Sequence, residues 1–340
     1  MQSGGNPYDE EVYFSATPEN GDFPNVYSVS PDGLEIENRI TNAVTYSAPS
    51  NSGRVCFIRS EADSPDKHLY IADYNGANQR LIASDNDLFS ISHPMLSIDS
   101  KHIVFNAGSG RLFYQNAESG SVFTQVTSKL SEGTAASFSP DSKLIATIET
   151  DDNINKIIKI YSTQNSDFSN PIYSKNFGPV TFVTSNFAQI NWSFDSELIV
   201  FTISNSNQDI VKVINIFSGE ERTIEIPNAE IGGRDASLSP NNDFIAISGK
   251  DGNIWIIHIA NNDLRFSKIT DASGFELNDS PKWSFKGNKI LYLSRSKFDG
   301  SEESTLISSE IEITNVLAKS NKINVLSNNV IFGFWKKNNL

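Results

Sequence analysis

At 340 residues, with 38% hydrophobic and 20% charged side chains, the chain carries enough apolar material for a large core and is not globally disordered. A formal net charge of −14 excludes nucleic acid as a partner, because affinity for a polyanion rests on clustered Lys and Arg. No stretch approaches the ~20 consecutive apolar residues of a membrane-spanning helix, and closed all-β architectures of this length form one unit.

In chain order, residues 1–7 form a polar, Gly-containing leader behind an initiator Met, with neither the basic nor the apolar region of a signal peptide. The expectation is a trimmed leader whose natural export signal is absent from this sequence, followed by one domain over 8–340. Three strands come next, around Val12-Tyr13-Phe14-Ser15, 26–29 and 35–40, with nothing before them to act as an innermost strand. From residue 45 a pattern then recurs. An aromatic or apolar residue and a Ser-Pro-Asp-like turn lead into a short, continuously apolar run; a second strand ends in a Gly turn, and an outer strand closes the unit.

The copies are Ala48-Pro49-Ser50-Asn51-Ser52-Gly53-Arg54-Val55 (degraded), Leu96-Ser97-Ile98-Asp99, Phe138-Ser139-Pro140-Asp141, Trp192-Ser193-Phe194-Asp195, Leu238-Ser239-Pro240-Asn241 and Trp283-Ser284-Phe285-Lys286. Their spacing is roughly 48 residues, as expected when one repeat is one blade of a propeller. The continuous apolarity of Ile103-Val104-Phe105 or Ile290-Leu291-Tyr292-Leu293 marks strands covered on both faces. Asn75-Gly76, Asp32-Gly33 and Ser218-Gly219 supply the positive φ of tight hairpins. No segment carries a capped amphipathic helical stripe.

At the far end, Val330-Ile331-Phe332-Gly333-Phe334-Trp335 reads as an innermost strand with no later strands to accompany it. The two incomplete ends complete each other, which removes the exposed edges of an open ring. The predicted fold is therefore an all-β, seven-bladed β-propeller of four-stranded antiparallel blades, closed by a C-terminal strand joining the N-terminal blade. Blade 1 is expected over 8–41 plus 328–340, and blades 2–7 over 45–84, 91–128, 135–178, 187–228, 233–270 and 279–325.

The repeated signature, aromatic-Ser-Pro-Asp-x-x-x-Ile-Ala, then Leu-Tyr-Ile-x-Asp-x-x-Gly, then Leu/Ile-Thr, resembles the TolB-like family of WD-like β-propeller repeats over essentially the whole chain. The resemblance implies an exported, periplasmic or envelope-attached bacterial protein, such as a lipoprotein, whose central funnel receives protein or peptide partners. The family's namesake joins a six-bladed propeller to an N-terminal α/β domain. Its specific transport role is accordingly not carried over to a chain read as seven blades.

No Gly-x-Ser-x-Gly elbow occurs, and the Ser-Pro-Asp turns lack the Gly and Trp of sialidase boxes, which leaves them as structural turns. Of four histidines, His68, His102 and His258 fall in strands or hairpins, and none stand at metal-ligand spacings. Asp85-Asn86-Asp87 and Asp151-Asp152-Asn153 lack the Gly and distal Glu of a calcium loop. Asn191-Trp192-Ser193 and Asn278-Asp279-Ser280 match the glycan-acceptor pattern by coincidence. Cys56, the single cysteine, reads as a buried hydrophobe.

Function on a rigid frame concentrates in loops at one end. Aligning the repeats puts Tyr46, His93, Thr134, Gln189, Arg234, Asp235 and Asp279 at one channel mouth, rimmed by 61–67, 151–156 and 297–303. The expected function is non-catalytic binding of a protein, peptide or oligosaccharide there by a monomer, with no cofactor and no metal. The alternative is a carbohydrate-active, lyase-like enzyme centred on His93.

Overall fold

Pairing of the two chain ends is what a seven-bladed ring demands, and the computed structural model has it. Glu10–Ala16 runs antiparallel to Val330–Lys337, with Val12 opposite Trp335, Tyr13 opposite Phe334 and Phe14 opposite Gly333. The structure describes residues 10–19, 23–60, 66–85, 88, 90–108, 110–118, 123–131, 136–164, 166–182, 190–205, 208–226, 233–272, 276–296, 304–314 and 317–337.

Seven antiparallel sheets follow one another along the chain. Blade 1 is ordered Val330–Lys337, Glu10–Ala16, Asn25–Val29, Ile36–Ile40 from inner to outer strand. Blades 3, 4, 6 and 7 repeat the scheme with inner strands Ser92–Leu96, Ser137–Phe138, Arg234–Leu238 and Glu276–Trp283. Two blades depart from four regular strands. In blade 2 only the Val44 to Ile58 bridge stands where an inner strand is expected. Pro49 has no N–H to give a ladder, and the Thr45 hydroxyl donates to the Cys56 carbonyl at 3.1 Å instead. In blade 5 the second strand, Leu198–Asn205, pairs with both Asn191–Trp192 and Thr181–Phe182, an extra inner segment that repeat alignment did not anticipate. The one helical element among the described residues is a 3-10 turn, Ala260–Asn262.

A closed ring of seven blades has seven interfaces, and each has its own apolar cluster. Ile58, Ile71, Ile103 and Phe105 join blades 2 and 3, whereas Val12, Phe14, Leu291, Leu293, Leu306 and Trp335 join blades 7 and 1. The second strands feed both neighbours, which is why Val12-Tyr13-Phe14 and Val55-Cys56-Phe57 are fully buried on successive residues. Each such side chain contributes about 1.5–3 kcal/mol by leaving water. Inner strands are also stapled across blades by indole N–H groups. Trp335 donates to the Lys282 carbonyl at 3.0 Å and Trp283 to the Ser237 carbonyl at 3.2 Å.

The Ser-Pro-Asp turns form a second ring, at the end of the channel opposite the candidate mouth. Within one turn Ser139 Oγ donates to Asp141 Oδ1 at 2.6 Å and accepts the Leu144 N–H at 3.0 Å. Ser142, at φ +65°, then accepts the Asp99 N–H of the preceding blade at 3.1 Å. Ser196 treats Asp141 in the same way at 3.0 Å, and Asn242 Nδ2 donates to Asp195 Oδ2 at 2.8 Å. The motif is thus a blade-to-blade coupling. Replacing Ser142 with Ala is expected to cost about 1 kcal/mol, the usual worth of one such bond, read as a lowered urea midpoint with unchanged slope.

Candidate functional site

Three inner strands break register at one repeat position: between Ser92 and Met95, Arg234 and Ser237, and Asp279 and Lys282. At each break a non-glycine residue adopts positive φ: His93 at +50°, Asp235 at +51° and Ser280 at +56°. Such residues are uncommon outside turns, and bulges re-aim side chains beside functional sites. Here they redirect the backbone where blades 3, 6 and 7 begin their inner strands.

Around that mouth the structure brings together residues from five blades. Phe332 of blade 1 lies 5.0 Å from Tyr46 of blade 2, ring centre to ring centre, and Tyr46 lies 4.8 Å from His93 of blade 3. The rings are tilted by 48° and 57°, so they make an apolar cup and not a flat platform. Burial, helped by the charge of Lys67, lowers the His93 imidazole to about 4, so it is neutral at ordinary pH. Burial likewise raises the Tyr46 phenol.

Blades 6 and 7 supply charge. Asp235 Oδ2 accepts from the Ser248 hydroxyl and from the Ser280 N–H of the next blade, both at 3.4 Å. Asp279 is 1% exposed and is met end-on by Arg295, whose terminal nitrogen lies 2.5 Å from Oδ2. Its second oxygen, Oδ1, and the Nε atoms of Arg295 and Arg234 have no hydrogen-bond partner among the described residues. Burial pushes the Asp279 carboxyl up to about 6, with Asp235 adding to the rise and Arg295 opposing it. One step further down the channel, Lys282 stands 3.8 Å over the Phe334 ring. Burial lowers its amine to about 8, against the pull of Asp235.

Of the residues expected at the mouth, Tyr46, His93, Arg234, Asp235 and Asp279 are placed on this arc, while Thr134 and Gln189 lie outside the described residues. Of the expected rim, 61–65 and 297–303 also lie outside them. Repeat alignment missed Phe332, Lys282 and Arg295. Phe332 occupies the His93 position of the closing strand and was readable there; Arg295 comes from a second strand, where the repeat gives no cue.

The remaining candidates are occupied structurally. His102 Nδ1 bonds the Tyr114 hydroxyl at 2.7 Å, and His258 Nδ1 donates to the Asp263 carbonyl at 2.9 Å. Asp85 staples its loop by accepting the N–H groups of Ile91 and Lys67. Asp151 accepts those of Asn153 and Asn155. Asn191 and Asn278 spend their amides on the carbonyls of Ala236 and Gly252. Cys56 is fully buried, which pushes its thiol up to about 12.

A family model described as TolB beta propeller domain matches residues 41–324. The chain belongs to that family. Among solved structures, TolB from Acinetobacter baumannii is 16% identical, with a TM-score of 0.50 over 89% of this TolB-type chain and 77% of its own. An oligogalacturonate lyase from Vibrio parahaemolyticus is 15% identical, with a TM-score of 0.50 over 70% of this chain and 72% of its own. A protein from Lactobacillus plantarum reaches a TM-score of 0.61 at 10% identity, covering 96% of this chain and 99% of its own. At these identities the likeness is one of fold. No curated protein matches the chain. No helix of this TolB-type propeller, among the described residues, is long and apolar enough to cross a membrane. Among the described residues, no three His, Cys, Asp or Glu side chains gather as metal ligands.

Proposed function

We propose that the chain is a non-catalytic binding propeller of an exported bacterial protein, taking a protein, peptide or glycan ligand at the mouth where its inner strands begin. The observation that carries this reading is the arc itself. Five blades converge an apolar cup, Phe332, Tyr46 and His93, on a charged half, Arg234, Asp235, Asp279 and Arg295. An apolar surface with a few convergent polar groups is the usual form of a ligand site. The bulges at His93 and Asp235 are held between paired residues of their strands, Ser92 and Met95 on one and Arg234 and Ser237 on the other, which favours a preorganised arc.

Capture from an envelope extract by the immobilised chain tests this directly. Arg234→Gln is expected to weaken capture of the principal partner about tenfold, as loss of a charged anchor does, without lowering the melting temperature. An unchanged capture profile would count against the mouth as the binding site.

A further inference from the structure

Four cationic side chains gather at the mouth although the chain is strongly acidic. Arg234, Lys282 and Arg295 stand on blades 6 and 7, and Lys67 faces His93 from blade 2, beside the carboxylates Asp235 and Asp279, with Asp85 on the Lys67 N–H and Glu276 at the start of the blade 7 inner strand. Asp209 and Lys250, on the same face, are already paired with each other at 2.9 Å. The donors are also only partly spent. Among the described residues the Lys282 ammonium stands over the Phe334 ring face within the field of Asp235, and the Nε atoms of Arg234 and Arg295 have no acceptor. Against these donors stands one unmet acceptor among the mouth's carboxylates, Asp279 Oδ1. A buried polar group left unmatched is costly, so these groups are best matched by acceptor oxygens carrying negative charge.

Resting on the mouth-binding reading above, we propose that the ligand presents a carboxylate to Lys282 and the guanidinium groups of Arg295 and Arg234, with its apolar portion seated in the Phe332, Tyr46 and His93 cup. Guanidinium groups match a carboxylate with paired N–H donors, and a lysine on a ring face keeps the N–H groups that point away from the ring for an incoming anion. Two kinds of ligand carry this group: an acidic peptide segment and a uronate oligosaccharide.

The groups around Asp279 also fix a pH dependence. Arg295 faces it from the neighbouring strand, Asp235 and Ser280 from the blade 6 to blade 7 junction, and Lys282 from its own strand. An arriving carboxylate disfavours the ionised form of Asp279 still further, so binding takes up a proton. Affinity is therefore highest between about 4, below which the ligand's own carboxylate takes up a proton, and about 6; it falls as pH rises through the Asp279 range, then again through the Lys282 range near 8.

The test is calorimetric titration of the full chain at about pH 6 and low salt, where screening is weak, with four probes: trigalacturonate, its methyl ester, a triglutamate peptide and a triglutamine peptide. His93 ring proton shifts are followed in parallel. One acid is expected to bind at least about tenfold tighter than its neutral counterpart, and which acid does so identifies the carrier. Lys282→Met, which installs the residue that Met95 provides at the equivalent position of blade 3, is expected to weaken that binding about fivefold at unchanged melting temperature. Arg234→Gln is the second variant, expected to act in the same direction. Equal affinity of acid and neutral probes, or no binding of either acid at millimolar concentration, overturns the carboxylate assignment. Binding that leaves the His93 resonance unmoved overturns the mouth reading itself.

Discussion

A chain ending at Asn329 is expected to lose cooperative folding, the largest effect any single alteration has in this molecule. Removing Val330–Lys337 strips the whole ladder from Glu10–Ala16. It also takes Trp335 and Val330 out of the cluster that joins blades 7 and 1, where Val12, Phe14, Leu291, Leu293 and Leu306 would be left against water. Each of those side chains is worth about 1.5–3 kcal/mol, against a whole-domain stability of about 5–15 kcal/mol. The freed edge of Glu10–Ala16 is hydrophobic and fully buried in the ring, which makes it a template for pairing with another chain. Loss of the sigmoidal thermal transition, with aggregates on size exclusion, is the expected readout. Adding a peptide of residues 328–340 in trans is expected to restore the transition in part. A truncated chain that melts cooperatively near the intact midpoint would show that closure carries little of the stability. Gly333 makes the strand's fit specific: a Cβ there would lie 2.7 Å from a methyl of Leu306 and 3.4 Å from one of Leu291.

The ring was legible because its determinants are local and repeated. Ser139-Pro140-Asp141-Ser142 encodes a turn through its own side-chain bonds, and Ile290-Leu291-Tyr292-Leu293 encodes a doubly covered strand through unbroken apolarity. Closure was legible for a different reason, since 330–335 matched an inner strand that lacked companions. The mouth was legible only in outline. The positive φ at His93 and Ser280 precedes a proline in each case and has no compositional mark; glycine, the residue that announces such geometry, is absent from both positions. The Asp279 to Arg295 pair joins two strands 16 residues apart and becomes visible only once register sets Arg295 opposite Leu277. Lys282 looks like a solvent-facing strand residue until Phe334, more than 50 positions later, is folded beneath its ammonium.

Glu11→Gln is expected to destabilise the ring by about 3 kcal/mol, the cost of breaking a buried charge pair by removing one partner. Glu11 sits on the strand that both ends of the chain share. Its carboxylate receives the Lys336 ammonium of the closing strand at 2.9 Å and the Arg39 guanidinium of the outer strand at 3.3 Å, and its side chain is only 7% exposed. Lys336 and Arg39 also cover the ring of Tyr74 in blade 2, at 4.6 and 4.9 Å, so the cluster ties closure to the next blade. Burial by itself would raise the Glu11 pKa, but the hydrogen bonds from Ser28 and Lys336 and the charges of Lys336 and Arg39 outweigh it and hold the carboxyl below its ordinary value. A group whose pKa is lower in the folded chain binds fewer protons there than in the unfolded chain. Its contribution is complete above the ordinary glutamate value and disappears as pH falls through the depressed one. Urea melts from about pH 7 down to about pH 3 should therefore show the wild-type chain losing stability on acidification more steeply than Glu11→Gln, the two curves converging at the acid end. Parallel curves would mean that the closing strand is held by its ladder and its apolar side chains alone, with Lys336 and Arg39 contributing no net stability through Glu11.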